Sequence, residues 1–415
     1  MSAMTQKVLV VGGGIGGLGA ALALSREGVV VDLLEQAAAF AEVGAGLQLG
    51  PNALRVLNDW GLLGALKDVA AFPEALRVRD AHSGATLGAL TLGKTAQQRY
   101  GQPYATVHRA DLHGLLLGAV ERQTGVRLVL KQRLVSYTEG REGVQITSED
   151  GSFFEGQALL GCDGLWSRVR GQMIGAQPVR ATGHLAYRGM VRCSDLPAAL
   201  CHSIVTAWLG PRLHAVCYPV RRGEWVNVVV VVQGVIGQGH GGEAGSDPHS
   251  WTQQAHAADL RRSLGAVNSD LGTVLEAVKE WKLWPLNDRP PMVGALEHAQ
   301  GRVALLGDAA HPLRPYLAQG AAMALEDAWT VGQLVGETQG QALNWPELLR
   351  RFAHTRWQRN ARVQSRSARN GTIFHAQGPL RWSRNVAMWT LGESLLDNPW
   401  LYEGPPAPVQ TCEGR

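Results

Sequence analysis

The chain has 415 residues, of which 45% are hydrophobic and 18% charged, and its formal net charge is +4. This size and composition predict a globular protein of about two domains with large cores, and the small, scattered positive charge argues against a nucleic-acid partner. The longest unbroken aliphatic run is Val228–Val232. That run is far below the roughly 20 residues of a membrane helix, so no membrane span is expected.

Cysteine usage suggests a compartment. The chain has five cysteines and no Cys-x-x-Cys pair; they are Cys162, Cys193, Cys201, Cys217 and Cys412. An odd number without paired spacing is typical of reduced thiols, so a cytoplasmic protein without a targeting signal is expected. The sequence suggests no metal site.

The first predicted unit is a strand, a glycine-rich turn, a helix and a second strand. The apolar run KVLVV precedes GGGIGG, a helical pattern then extends to Gly28, and VVVDLLE follows. Gly28 is a natural helix C-cap. Such a strand–turn–helix–strand unit is typical of dinucleotide-binding domains, whereas a signal peptide would carry more N-terminal positive charge.

The glycine turn carries the chemistry of this unit. Gly12, Gly14 and Gly17 form Gly-x-Gly-x-x-Gly, which allows a tight turn, close approach of a pyrophosphate, and close packing of helix on strand. The helical pattern begins at Leu18, and free N–H groups at the start of this helix, beside Ile15, favour an anion. Glu35 ends the second strand, about where an acid binds the ribose.

The middle of the chain predicts a different architecture. Short strands are expected over 76–100, a helix over 108–125 and a small meander over 126–149. Runs of β-branched residues from about 180 to 235 predict a mostly antiparallel sheet and a second domain. Residues 234–248 are glycine-rich and are predicted to be a mobile loop, and 259–281 reads as helical.

The C-terminal part is predicted to be helical. Residues 302–335 read as a strand, a long turn and a helix, and a second helix extends from Trp345 to about Asn370 with an apolar side at Leu349, Phe352, Ala353 and Trp357. Its arginines are expected to form a solvated face: Arg350, Arg351, Arg356, Arg359, Arg362, Arg366 and Arg369.

Two further segments suggest cofactor contacts. Asp163 stands at a strand end in CDGLWSRVR, although a capped helix start explains it equally well. Asp308 follows the strand RVALLG, and the carboxyl ends of strands in α/β sheets present ligand-binding groups. Gly320 and Ala321 begin a helix whose N–H groups would stabilise the negative charge of a reduced flavin.

Together these motifs resemble those of the FAD-dependent aromatic hydroxylases, which are single-component flavoprotein monooxygenases. The matching segments are Gly12–Gly17 with Glu35, Asp163–Arg170 and Gly307–Pro312, and the resemblance extends from about residue 7 to about 400. It implies bound FAD, NADH or NADPH as a transient co-substrate, and O2. In the implied cycle reduced FAD forms a C4a-hydroperoxide that transfers oxygen to an electron-rich ring.

The resemblance also implies roles for single residues. Arg109 would contact the FAD phosphates, although its position alone predicts a surface residue at a helix start. Asp163 would take part in FAD and NAD(P)H handling, and Asp308 would bind the ribityl or ribose hydroxyls. Gln48, on the glycine-rich segment before Pro51, is a weaker candidate for the pocket.

The strand RLHAVCYPV offers a base for the substrate. His214, Val216 and Tyr218 share one face of a strand, and a histidine near neutral pKa suits removal of a phenol proton. From the pattern alone, a histidine and a tyrosine satisfied within a sheet are the better interpretation. The segment GPRLHAVCYP, together with YGQPYATVHRADLH and AEVGAGLQLGPN, resembles the 3-hydroxybenzoate 6-hydroxylase branch. This resemblance implies His214 as the base and Tyr218 as a hydrogen-bond partner of the substrate.

One position departs from that branch. Pro315 stands where the branch carries a glutamine, and proline is closer to salicylate-hydroxylase-like members. Para hydroxylation of a 3-hydroxybenzoate and decarboxylative hydroxylation of salicylate or 6-hydroxynicotinate therefore both stay open. Arg188 or Arg314 could bind a substrate carboxylate, although an exposed arginine is the more ordinary expectation for each.

The expected fold is α/β, with a Rossmann-like FAD-binding domain, a second domain on a mostly antiparallel sheet, and C-terminal helices. The expected boundaries are 1–75, 101–178 and 286–345 for the FAD domain, 76–100 and 179–285 for the substrate domain, 346–403 for the helices and 404–415 for a flexible tail. A flavin dehydrogenase or reductase and a non-catalytic flavin protein are the competing functions. Substrate, NADH or NADPH preference, flavin movement and oligomeric state stay open, with a homodimer as one alternative.

Overall fold

The computed structural model describes residues 6–40, 45–175, 177–234, 253–338 and 342–405. Nearly all of the predicted mobile loop and of the predicted flexible tail lies outside these ranges. Within them, no helix combines the length and the apolar character that crossing a membrane requires.

The strands are β1 (Lys7–Val11), β2 (Val30–Leu34), β3 (Gly46–Leu49), β4 (Ala75–Asp80), β5 (Thr86–Thr91), β6 (Ala105–His108), β7 (Val126–Val129), β8 (Leu134–Glu139), β9 (Val144–Ser148), β10 (Phe153–Gly156), β11 (Ala158–Gly161), β12 (Arg180–Arg192), β13 (Ile204–Gly210), β14 (Leu213–Val220), β15 (Trp225–Gln233), β16 (Gln253–Ala255), β17 (Trp281–Asp288), β18 (Ala299–Gln300) and β19 (Val303–Leu305). The α-helices are α1 (Ile15–Arg26), α2 (Pro51–Asp59), α3 (Leu63–Lys67), α4 (Gly93–Tyr100), α5 (Arg109–Glu121), α6 (Arg168–Ile174), α7 (Ala257–Leu264), α8 (Ser269–Ala277), α9 (Gly320–Gly336), α10 (Trp345–Phe374), α11 (Gly378–Leu391), α12 (Glu393–Leu396) and α13 (Pro399–Tyr402).

A six-stranded sheet in the order β18-β19-β11-β1-β2-β7 contains the first glycine turn. Its pairs are parallel except for β18 and β19. Helix α1 packs against α9, and both bury small and aliphatic side chains in the same core as the sheet. The carboxyl ends of β1, β11 and β19 therefore meet at one edge, where ligand sites form in such sheets.

An eight-stranded sheet in the order β16-β17-β12-β15-β14-β13-β4-β5 forms the second layer. Its pairs are antiparallel except for β13 with β4. Leu213, Ala215 and Cys217 of β14 pack against the helices α7 and α8, in one core with Leu260 and Val274. The mostly antiparallel sheet and the α/β class are confirmed. The domain boundaries stay a prediction.

Several local predictions were wrong. Residues 259–281 form two helices rather than one, because Gly265 has φ +61° and Asn268 caps α8 by accepting the Asp270 N–H at 3.1 Å. Trp281 already belongs to strand β17, whose apolar residues mimic a helix end. Residues 93–100 are helical, and 126–129 join the parallel sheet, leaving the meander to β8, β9 and β10.

The arginine face of α10 was predicted only in part. Arg350, Arg362 and Arg369 are exposed, but Arg356 is completely buried and Arg359 is partly buried. Both pair with Glu326 of α9, at 2.7 Å in each case. A buried carboxylate requires a paired cation, and this tertiary requirement overrides the pattern of a solvated helix face.

Two of the cysteines lie close together. Cys193 and Cys201 have a Cα–Cα distance of 5.5 Å, which is within the range of a disulfide, while Cys162 and Cys217 are free. For this pair, reduced thiols stay a prediction. Two short 3-10 turns, Cys193–Asp195 and Ala198–Leu200, fold the intervening segment back on itself. Contacts made by such irregular turns leave no periodic signal in a sequence.

Candidate active site

A single cavity of about 960 Å³ joins the glycine turn to the inner face of the eight-stranded sheet. This volume lies at the upper end of the range for ligand sites. Nearly all of the residues predicted to act in the site line it: Gly12, Gly14, Ile15, Glu35, Gln48, Arg109, Asp163, Arg188, His214, Tyr218, Asp308, Pro315, Gly320 and Ala321. Gly17 lies behind this wall, where a packing role would place it.

The glycine turn has the geometry of a phosphate cradle. Gly12 has φ +104°, and a Cβ there would collide with the carbonyl of Cys162. A Cβ on Gly17 would collide with the carbonyl of Gly12, so the helix can approach the strand only without a side chain. A Cβ on Gly14 would meet nothing within 4 Å. The open side of Gly14 and the uncapped start of α1 at Ile15 face the cavity, where N–H groups can bind an anion.

Glu35 makes hydrogen bonds within the glycine turn and keeps acceptor capacity for a ligand. Its carboxylate accepts the N–H of Gly13 at 2.7 Å and the N–H of Ala37 at 2.8 Å, which holds the glycine turn in place. An ionised carboxylate offers about four lone-pair sites. The remaining acceptor capacity suits the hydroxyls of a ribose.

Asp308 occupies the middle of the cavity wall. It follows β19 in the turn Gly307–Ala309, and its side chain is accessible from the cavity. Surrounding protein raises the pKa of Asp308, and Arg109 and His311 partly oppose this effect. Among the described residues no side chain or backbone group hydrogen-bonds to its carboxylate, so both oxygens can accept bonds from a polyol.

Asp163 is engaged in local structure. Its carboxylate accepts the hydroxyl of Ser167 at 2.5 Å, the N–H of Arg168 at 2.8 Å and the N–H of Val169 at 3.2 Å. These bonds cap α6, as the alternative interpretation expected, while the residue also lines the cavity. Gly320 and Ala321 begin α9, line the same cavity, and have no side-chain cap at this helix start.

A charged cluster under this wall fixes the Asp308 turn. It consists of His311, Glu326, Asp327 and Arg356, all buried. The Gly307 N–H donates to Asp327 at 3.0 Å, His311 contacts Asp327 at 2.5 Å, and Arg356 donates to Asp327 at 2.8 Å. Burial alone would raise the pKa of Asp327, but His311 and Arg356 hold it far below its usual value. Sequence reasoning missed this cluster because its members lie on three separate segments.

The sheet wall carries the side chains predicted to meet a substrate. His214 is 2% exposed, and its Nδ1 lies 2.7 Å from Nε2 of His375, at the end of α10. Only Nε2 of His214 therefore remains for a molecule in the cavity. Burial, followed by His375 and His184, lowers the pKa of His214 well below its usual value. The ring is thus a neutral acceptor at neutral pH, and its pKa is lower than the near-neutral value expected from the sequence because the side chain is buried.

Tyr218 and Arg188 stand on the same wall. Burial raises the pKa of Tyr218, and Arg188 opposes this effect. The Arg188 guanidinium lies 3.9 Å from the ring centre of Trp284, and burial lowers its pKa to about 10. Arg188 is still a cation at neutral pH, and its Nε is buried with no hydrogen-bond partner among the described residues.

The expectation that Arg188 and Arg314 are exposed was wrong. Both line the cavity, because β12 and the turn after His311 face the same space. Arg314 is already paired with Asp288 at 2.6 Å, so Arg188 is the better candidate for a substrate carboxylate.

Gln48 and Pro315 are the last two residues that were predicted to line the pocket. Gln48 accepts the hydroxyl of Tyr104 at 2.9 Å, and Pro315 lines the cavity without a polar side chain. Sequence reasoning missed His375, Trp284 and Tyr104. Only Tyr104 carried a signal, since it stands in a segment that resembles the hydroxybenzoate branch.

The comparisons with known proteins agree with this geometry. A family model described as FAD binding domain matches residues 5–367. The 3-hydroxybenzoate 6-hydroxylase of Polaromonas naphthalenivorans is 36% identical over 379 residues, which is 91% of this chain and 90% of that protein. The 6-hydroxynicotinate 3-monooxygenase of Bordetella bronchiseptica is 32% identical, covering 96% of this chain and 97% of that protein.

A solved salicylate hydroxylase substrate complex superposes with a TM-score of 0.81 at 27% identity, covering 97% of each chain. The chain therefore belongs to the FAD-binding family of flavoprotein monooxygenases. It is an FAD-dependent aromatic-ring monooxygenase that uses a nicotinamide cofactor and O2.

Proposed function

We propose that this monooxygenase hydroxylates a small phenolic acid, with 3-hydroxybenzoate as the first candidate, and that His214 removes the phenol proton. The observation that carries the proposal is the position of His214. A buried, neutral imidazole with one free nitrogen stands on the sheet wall of the cavity whose other end is the glycine turn. The 36% identical relative is named for this reaction.

The chain offers a complete set of groups for FAD. Gly12, Gly14 and the N–H of Ile15 would hold the phosphates, Glu35 the adenosine ribose, and Asp308 the ribityl chain. Arg109, Asp163 and Gln48 would complete this side of the cavity, and Gly320 and Ala321 would face the flavin ring. When bound, FAD supplies the reduction by NADH or NADPH and the activation of O2.

The sheet wall would then prepare the substrate. His214 Nε2 takes the phenol proton, which makes the ring more nucleophilic. The Tyr218 hydroxyl hydrogen-bonds to the substrate, and Arg188 pairs with its carboxylate. The apolar faces of Val216 and Trp284 help to keep water out, which protects the oxygen-transfer step from wasteful release of H2O2.

Pro315 supports a second candidate reaction. It lines the cavity but has no side-chain donor to assist a phenol, and the matched relatives include a 6-hydroxynicotinate 3-monooxygenase and a salicylate hydroxylase. In this alternative the oxygen enters at the carbon that bears the carboxylate, and CO2 leaves. Arg188 would then hold the carboxylate only until the ring is attacked.

A substrate panel separates the two reactions. The holoenzyme would be given NADH and, in turn, 3-hydroxybenzoate, salicylate and 6-hydroxynicotinate, while NADH loss, H2O2 and product are measured. We expect coupled formation of a ring-hydroxylated acid from 3-hydroxybenzoate without CO2. Coupled CO2 release from salicylate or 6-hydroxynicotinate would favour the second reaction. Peroxide alone from every compound would contradict both.

A cytoplasmic homodimer is also part of the proposal. Helix α11 exposes Trp382 and Trp389, which are 72% and 77% accessible, and Val386 lies between them on the same face. Apolar surface of this kind is typical of association sites, and a second copy of the chain would cover it. Light scattering should give a dimer mass, and Trp382→Ser with Trp389→Ser should give a monomer; a monomeric parent protein would contradict the proposal.

A further inference from the structure

We propose that His375 is a proton relay: the phenol proton taken up by His214 leaves the cavity through the hydrogen bond between the two imidazoles. This inference rests on the proposed role of His214 and adds a positioning and proton-carrying residue on a different part of the chain. It concerns the exit of the proton, which the cavity geometry by itself does not explain.

The contact between the two rings is direct and enclosed. His214 Nδ1 and His375 Nε2 are 2.7 Å apart, and the two residues are 2% and 4% exposed. If Nε2 of His214 accepts the phenol proton, that nitrogen must begin without hydrogen. His214 then carries its hydrogen on Nδ1 and donates it to Nε2 of His375. The proposed chemistry requires this pair of tautomers, and the 2.7 Å contact between the two nitrogens fits it.

Polar atoms continue beyond His375. Its own Nδ1, both ring nitrogens of His184 and the hydroxyl of Tyr316 are buried and have no hydrogen-bond partner among the described residues. The ring centres of His184 and Tyr316 lie 4.8 Å and 6.0 Å from that of His375. Buried polar atoms are normally satisfied by ordered water. Water held among these side chains would accept a proton from His375. We call His184, His214, Tyr316 and His375 the histidine cluster.

The proton balance is simple. The phenol O–H bond breaks as an N–H bond forms at Nε2 of His214. The Nδ1–H bond of His214 breaks as an N–H bond forms at Nε2 of His375, and His375 releases its Nδ1 proton to water. When the ring oxygen of the product is protonated again, the same steps occur in reverse and both rings return to their first tautomers.

The surroundings favour transfer rather than storage of the proton. His375 faces His214 from β14, His184 from β12, Tyr316 from the turn before α9 and Arg384 from α11. Burial, followed by His184 and Arg384, lowers the pKa of His375 to about 3. The pKa of His184 is lowered by burial and by Arg314. Neither His375 nor His184 therefore retains a proton at neutral pH.

Two substitutions separate relay from positioning. In His375→Gln the amide oxygen can still accept the Nδ1–H of His214 but cannot carry a proton onward, whereas His375→Ala removes both abilities. The matched control is His354→Gln, an exposed position on the same helix. The probe is 3-hydroxy-4-nitrobenzoate, whose phenolate is coloured, mixed with the oxidised holoenzyme in a stopped-flow instrument.

We expect His375→Gln and His375→Ala to slow phenolate formation by about tenfold or more. FAD content and the rate of flavin reduction should stay unchanged, and free imidazole should partly restore His375→Ala. The control should match the parent protein. An unchanged rate in His375→Gln, together with loss of phenolate in His214→Gln, would overturn the relay but leave the proposed function intact. A parent protein that never ionises the probe and hydroxylates no phenolic acid would instead overturn the function.

A measurement on the unaltered enzyme tests the relay without any substitution. The rate of phenolate formation is followed in mixtures of H2O and D2O. Concerted movement of more than one proton along the histidine pair predicts a curved dependence on the deuterium fraction. A straight line, which indicates a single moving proton, would contradict the relay even if the variants fail to fold.

Discussion

Two buried polar clusters lie on either side of the cavity, and both contain histidine. In the charged cluster Asp327 is bonded to Gly307, His311 and Arg356, and these contacts hold the Asp308 turn. In the histidine cluster the rings are neutral and several polar atoms have no partner among the described residues. A buried polar group whose hydrogen bonds are all formed stabilises the fold, whereas a buried polar group with unused donors or acceptors can bind a substrate or transfer a proton.

The largest expected effect comes from a substitution in the histidine cluster. His214→Ala should retain FAD but lose hydroxylation by about 10²- to 10⁴-fold, because the general base is gone. Coupled product formation and flavin content after gel filtration are the measurements. Coupled turnover equal to that of the parent protein would remove His214 from the mechanism.

On the structural side, Arg356→Met should destabilise the protein. The substitution leaves the buried carboxylates of Glu326 and Asp327 without the positive charge of Arg356. Breaking a buried ion pair in this way costs about 3–5 kcal/mol. Urea unfolding of the apoprotein measures the change. Arg369→Met, at an exposed position on the same helix, should change the free energy of unfolding by less than about 0.5 kcal/mol. Equal effects of the two substitutions would contradict the assignment of a structural role to the charged cluster.

Glu35 has both a structural role and a proposed role in binding FAD, so its substitution should have an effect smaller than the two above. Glu35→Ala removes the acceptor for the N–H groups of Gly13 and Ala37 and a candidate ribose ligand. We expect FAD affinity to fall by about tenfold to a hundredfold, in line with the loss of one or two hydrogen bonds to a charged group. Glu35→Gln keeps one of the two acceptor oxygens and should lose less. Full flavin occupancy of Glu35→Ala after gel filtration would contradict the prediction.

Acid should weaken the two clusters in different pH ranges. The pKa of His375 in the folded protein is about 3. Between roughly pH 6.5 and 3 the unfolded chain therefore binds a proton that the folded chain does not, and the free energy of unfolding decreases as the pH is lowered. The lowered pKa of Asp327 acts only below about pH 4, the ordinary aspartate pKa. His375→Gln should reduce the slope of unfolding free energy against pH by up to about 1.4 kcal/mol per pH unit in the upper range. An unchanged slope would show that His375 is already charged in the folded protein.

The cofactor half of the cavity was the more predictable half. Gly12, Gly14, Glu35 and Asp308 were expected in the site and line one wall of it. The substrate half was predicted only as a strand with His214 and Tyr218 on one face. The position of Trp284 was missed because strand β17 was not predicted, and Arg188 was expected to be exposed.

The sequence by itself determined the α/β class, the glycine turn and the alternation of β14, because each depends on neighbouring residues and on backbone geometry. The tertiary structure alone decided which side chains meet. His375 reaches His214 across 161 residues, and Arg356 reaches the acids of α9 from another helix. Such contacts depend on how whole helices and sheets pack, and no local pattern records that packing.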